Sequence, residues 1–158
     1  LPDMPANAIV FDSGMPEAID TFVKSTSSGR HIQNMYAWYL RVADTAAFIR
    51  HIAPVLEQRL AGSDANNYTG KLKIAYYDLT GLEITFEQGK IVDAAERKFD
   101  LYEGDASFPY YSFLNVLFGH RTFSELQTVY PEVIASPTAQ ILLQTLFPKQ
   151  RSWINGLG

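Results

Sequence analysis

The stretch "YTGKLKIAYYDLTGLEITFEQGKIVDAA", residues 68–95, decides the fold. Leu72, Ile74 and Tyr76 alternate with Lys71, Lys73 and Ala75. After Thr80-Gly81 the pattern returns: Leu82, Ile84 and Phe86 alternate with Glu83, Thr85 and Glu87. Gln88-Gly89 then leads into a third run, 90–95. Successive side chains of a strand point to opposite faces, so period two predicts a strand with one wet face. Turn residues between such runs predict an antiparallel meander, with turns at 80–81 and 88–89. The lysines of the first strand then lie across from the glutamates of the second. Each such pair contributes ~0.2–1 kcal/mol and mainly fixes register.

Upstream, "NMYAWYLRVAD" (34–44) alternates in the same way: Tyr36, Trp38, Leu40 and Val42 on one side, Tyr39 and Arg41 on the other. It predicts a strand that ends at an N-capping Asp44. Phe48, Ile49, Ile52, Val55, Leu56 and Leu60 follow on one helical face, with Arg50, His51, Glu57 and Gln58 opposite. Pro54 falls inside this helix, where a kink or a break is expected, and Gly62 ends it. Downstream, Tyr110, Phe113, Leu114, Leu117 and Phe118 give 109–118 an apolar helical face that stops at Gly119. Thr122 and Glu125 form a capping box for a helix to about Val129. Ser136-Pro137 opens a last helix whose face is Ile141, Leu142, Thr145 and Leu146, ended by Pro148. A meander plus helices with apolar faces is an α+β domain, with helices covering one face of a largely antiparallel sheet.

Residues 1–34 read differently. Pro2, Pro5 and Pro16 interrupt them, a short helix follows Pro16 with Ile19, Phe22 and Val23 on one face, and "STSSGR" (25–30) is a small-residue linker. The start is neither an initiator Met nor a signal peptide, so the expectation is a piece of a longer chain. The domain reading is a connector, or the tail of a preceding domain, over 1–34 and the α+β domain over 35–158.

The chain of 158 residues is 47% apolar and 19% charged, enough for a packed core without disulfides. It has no Cys, which excludes a thiol nucleophile and Cys-ligated zinc and agrees with a cytoplasmic setting. Its net charge is −4 and its basic residues are scattered, at Arg97-Lys98 and at Lys149 to Arg151. Sequence-independent nucleic-acid binding needs a basic stripe, so no nucleic acid is expected as a partner. No apolar run approaches the ~20 residues of a membrane span.

No chemistry-bearing motif stands out. His31, His51 and His120 have no metal-ligand spacing, and neither HExxH nor GxSxG is present. His51 reads as a solvated helix residue and His120 as a helix-capping one. No catalytic residue and no metal ligand is assigned. "RLAGSD" (59–64) is the nearest approach to the pyrophosphate loop of GNAT-type acetyltransferases. It places Asp64 where Gly or Ala belongs and sits at the negative end of a helix, so it reads as a C-cap.

The segments "YAWYLRVAD" (36–44), "AFIRHIAPVLEQRL" (47–60), "YTGKLKIAYY" (68–77), "GLEITFEQGKI" (81–91), "LFGHRTFSEL" (117–126) and "LFPKQRSW" (146–153) stand in the order found in Eis-type acetyltransferases. Over about 34–153 the chain resembles the C-terminal domain of that family, which is similar to sterol carrier protein type 2. The resemblance implies a curved, largely antiparallel sheet of about five strands covered by helices on one face. It implies a parent enzyme that is an acetyl-CoA-dependent N-acetyltransferase, with acetyl-CoA bound by the chain's own N-terminal acetyltransferase domain and no cofactor in this piece. The function implied is a non-catalytic domain that shapes the acceptor-amine site and supports assembly. In that family the terminal carboxylate acts as base behind an aromatic last residue. This sequence ends "INGLG", so the role is not carried over to Gly158.

Two further readings come from the aromatic content. Trp38, Tyr76, Phe86, Phe113 and Phe118 are the candidates to line an apolar cavity for a lipid or other small apolar ligand, although close packing on one another is the commoner fate of such rings. Tyr39, Tyr77 and Trp153 are the candidates for an interface in a homo-oligomer, since aromatic residues favour interfaces.

Overall fold

The meander read from residues 68–95 is present, with its first turn moved. The computed structural model describes Thr21, Ser25 and residues 40–100, 102–109 and 111–150. Leu40–Arg151 is one compact unit, and every element below belongs to it. Thr21 and Ser25 are helical, so helix reaches the point where the small-residue linker was expected to begin.

Strands β1 (Gly70–Tyr76) and β2 (Thr80–Glu87) pair antiparallel, with Leu72 opposite Ile84 and Lys73 opposite Glu83. Strand β3 (Lys90–Lys98) pairs antiparallel with β2, with a bulge at Thr85/Phe86. The charge ladder forms as expected: Lys71 Nζ lies 2.9 Å from Glu83 Oε1, and Arg97 Nε is 3.9 Å from the same oxygen. The second turn is Gln88-Gly89, both at positive φ, which suits the twist of a two-residue hairpin.

The first turn is not Thr80-Gly81 but Tyr77-Asp78-Leu79. Leu79 takes the left-handed position at φ 65°, with its N–H donating to the Tyr76 carbonyl at 3.1 Å. Asp78 Oδ1 accepts the Thr80 hydroxyl at 2.5 Å and the Thr80 N–H at 3.0 Å, and these two bonds, the hydroxyl's first, hold its carboxyl below the usual range. Gly81 instead lies inside β2. A Cβ there would stand 2.5 Å from the Phe99 ring and 2.3 Å from the Ile74 carbonyl oxygen, so the residue is needed for space.

Among the described residues two short strands extend the meander to a five-stranded mixed sheet in the order β3-β2-β1-β4-β5. Strand β4 (Ala106–Phe108) runs parallel to β1, and β5 (Ile134–Ala135) runs antiparallel to β4. The expected strand over 35–43 lies mostly outside the described residues; its end, Leu40 to Ala43, joins no strand.

Helix α1 (Thr45–Ala61) starts at Asp44, whose Oδ1 accepts the Ala47 N–H at 2.7 Å, and ends at Gly62, as read. It is one continuous helix through Pro54, which corrects the expected break there. Pro54 and Arg50 are both exposed, so the carbonyl four residues back that loses its helical donor can turn to water. Ile49, Leu56 and Leu60 are buried, whereas Val55 is half exposed and departs from the expected face. Side chains of α1 also reach the edge strand: Arg50 donates to the Ala94 carbonyl, and Glu57 accepts the Ile91 N–H at 3.0 Å and pairs with Lys90 at 2.9 Å.

The helix expected over 109–118 is shorter, α2 (Phe113–Leu117), because turns occupy the residues described on either side. Helix α3 (Phe123–Val129) carries the expected capping box, with both Thr122–Glu125 bonds present at 2.9 and 3.1 Å. Helix α4 (Pro137–Leu146) has Ser136 as N-cap and Pro137 in its first turn. It buries Ala139, Leu142, Leu143 and Leu146, while Ile141, placed on the apolar face by the sequence reading, is half exposed. Arg59 Nη1 donates to the Leu146 carbonyl at 2.6 Å, tying α1 to the negative end of α4.

The core lies on the sheet face of Leu72, Ile74, Leu82, Ile84 and Phe86, closed by α1, α4 and the rings of Phe108, Phe113, Phe123 and Phe147. The opposite face carries the charge ladder, together with buried Ala75 and with buried Phe99 folded over Gly81. The architecture is α+β, as expected, with a mixed and mainly antiparallel sheet.

Candidate functional site

Of the aromatic residues read as candidates for a cavity wall, Tyr76, Phe86 and Phe113 are packed against other rings. Phe113 has ring neighbours on several sides: Phe108 at 5.3 Å, Phe147 at 5.9 Å and Tyr76 at 6.1 Å between centroids. Phe86 is buried edge-on to Tyr68 at 5.5 Å. Phe118 is half-buried and tilts against Phe48 at 5.3 Å. Tyr76 is partly buried, and burial first, then the charges of Glu96 and Asp78, push its phenol well above the usual tyrosine range. It is therefore neutral and available only as a hydrogen-bonding hydroxyl. Trp38 lies outside the described residues. Such offset and edge-on pairs are the favoured ring geometries, and they fill the volume between β1, β4, α2 and the end of α4.

Of the interface candidates, Tyr77 is 40% exposed and its hydroxyl donates to the Glu132 carbonyl at 2.9 Å. That bond holds the ring over the chain that leads into β5. Tyr39 and Trp153 lie outside the described residues. His51 is exposed on α1, in line with a solvated residue. The "RLAGSD" run is a helix C-cap: the Gly62 N–H turns back to the Gln58 and Leu60 carbonyls. Among the described residues no group of three His, Cys, Asp or Glu side chains could hold a metal ion, and no helix is long and apolar enough to cross a membrane.

Open space appears elsewhere. A surface hollow of ≈ 440 Å³ lies between the Gly119 turn, α3 and the chain after α4, lined by His120, Arg121, Glu125, Thr128, Val129 and Lys149. Gly119 builds it. At φ 65° it turns the chain out of α2, and its carbonyl accepts the Gln150 N–H at 2.8 Å. A Cβ at this position would meet the Pro148 carbonyl oxygen at 2.7 Å and the Gln150 nitrogen at 2.8 Å, so only glycine lets the two chains lie this close. Across the hollow Lys149 Nζ bonds Glu125 Oε1. Lys149 first, then the Thr122 main chain, hold the Glu125 carboxyl below the usual range. A smaller hollow of ≈ 280 Å³ lies between the end of α1 and the Gln88-Gly89 turn, with Glu57, Asn66, Asn67 and Lys90 in its wall.

No family model, curated protein or solved structure matches this chain.

The sequence reading assigned Glu125 only a capping role and treated Lys149 as one of several scattered bases. Nothing local signals that they meet. The nearest usable sign is Gly119, which stands between an apolar helical face and a capping box and thus marks a forced change of direction.

Proposed function

We propose that this unit is a non-catalytic domain of a multidomain N-acetyltransferase, a support that shapes the acceptor-amine cleft and helps the parent enzyme assemble. The observation that carries the reading is the order of the segments quoted above, together with the α+β architecture they build. The helix, the meander, the Gly119 turn and the chain after α4 converge on one core. The C-cap at Gly62 supports it too, because the one run that approaches a pyrophosphate loop closes a helix instead of opening one. On this reading acetyl-CoA is held by an acetyltransferase domain elsewhere in the parent, the partner is that domain and further copies of the chain, and the setting is cytoplasmic.

Calorimetry with acetyl-CoA tests it. The 158-residue chain should give no heat of binding, and a longer parent chain should bind. Micromolar binding by the 158-residue chain alone would sink the proposal. The carrier reading, a module that holds a lipid in an apolar interior, draws no support from the packing. Phe113 and Phe86 touch other rings where a carrier would need space.

A further inference from the structure

Two pairs of polar residues far apart in the sequence meet at the Gly119 clamp. His120 and Arg121 leave the turn, and Lys149 precedes the Gln150 that is bonded to Gly119. Their side chains wall the ≈ 440 Å³ hollow, far more room than the ~30 Å³ taken up by one water molecule. Glu125 is already engaged, by Lys149 and by the Thr122 N–H at 2.9 Å. Arg121 is not. Its main-chain N–H goes to the Asn115 carbonyl at 3.0 Å, yet its half-buried side chain has no hydrogen-bond or ion-pair partner among the described residues. A guanidinium offers a planar fork of donors and no acceptor, and its natural complement is a group with two adjacent oxygens carrying negative charge. Among the described residues of this wall two cations face one carboxylate, in a chain whose net charge is −4.

We propose that the hollow is a binding site for an oxyanion group, carboxylate or phosphate, gripped by the Arg121 fork with Lys149 as the second cation. Lys149 has donors beyond the one that Glu125 uses, so it can reach the ligand without releasing its partner. The inference is independent of the acetyltransferase reading, since it concerns a site in this unit alone.

Titration of the 158-residue chain with inorganic phosphate, and separately with acetate, at constant ionic strength tests it, with backbone amide NMR shifts as the readout. Saturable shifts are expected at His120, Arg121 and Lys149. Arg121→Gln should weaken binding at least about tenfold, or about 1.4 kcal/mol. Arg121→Lys, which keeps the charge and loses the fork, should weaken it less and serves if the first variant misfolds. Lys71→Gln, in the charge ladder of the sheet, should leave binding unchanged. Response to phosphate alone marks a phosphorylated ligand, response to acetate alone a carboxylate, and either supports the site. No saturable shift with either anion, equal binding by the Arg121 variants, or an equal loss in Lys71→Gln overturns it, because these are the marks of diffuse salt effects.

Discussion

Phe113 is closed in by Tyr76, Phe108 and Phe147, whereas Arg121, a little further along the chain, stands in an open hollow with no partner for its side chain among the described residues. The surroundings of Phe113 are rings with few torsions and no charge, drawn from both sides of Gly119 in the sequence, and they meet tilted or edge to face. The side chains around Arg121 are long, charged and partly paired, and charge pairs cannot be packed together without the loss of their water.

The comparison breaks most sharply at Phe113→Ala. Deleting a fully enclosed ring should cost ~3–5 kcal/mol, read as a lower denaturant midpoint at unchanged slope. A loss under ~1 kcal/mol, or uptake of a fluorescent fatty acid by the unaltered chain, would mean the rings enclose usable space after all.

Gly119→Ala tests the other side. The left-handed position alone costs a residue with a Cβ roughly 1–2 kcal/mol, and contact with the Pro148 and Gln150 main chain adds to it. The Gln150 amide should lose its protection from hydrogen exchange before the β1–β2 amides do. If both are lost together, the clamp is part of the global core instead of a local tie.

The smallest effect is the pH dependence of the Lys149–Glu125 pair. The folded chain holds the Glu125 carboxyl below its ordinary value of 4.5, so it favours the ionised form. That contribution is fully present above about pH 4.5 and fades as the pH falls through the lowered value. Glu125→Gln should flatten the stability curve in that acidic window: the variant lies below the unaltered chain at neutral pH, by a small amount because an exposed pair is screened by solvent, and the two converge as the pH falls. An unchanged acidic slope would show that the pair does not persist in solution.

The elements that repeat within a few residues were legible. Alternation gave the meander and its inward set, and local hydrogen-bonding chemistry gave the caps at Asp44, Thr122 and Ser136. What failed depends on the rest of the molecule. Gly81 reads as a turn residue, but here its meaning is space for Phe99, and Leu79 takes the strained position in its place. Pro54 reads as a break, but it lies on the wet side of α1, where water can serve the carbonyl it abandons. Strands β4 and β5, of three and two residues, are too short to show a period, and only the sheet they join defines them. Arg121 and Lys149 share no sequence window. They reach one hollow through contacts distant in sequence, among them the Gln150 N–H to Gly119 carbonyl bond, which no local pattern encodes.

The grip of α1 on β3 has a consequence beyond stability. Among the described residues β3 is the terminal strand of the sheet at nine residues, long enough to template another strand. Arg50 and Glu57 occupy the Ala94 carbonyl and the Ile91 N–H, two of the main-chain groups that an incoming strand would need. The helix thus caps two of the groups open to cross-molecular zipping, and the double variant Arg50→Ala, Glu57→Ala should make this border of the sheet more prone to start fibres, read as a shorter lag in thioflavin fluorescence.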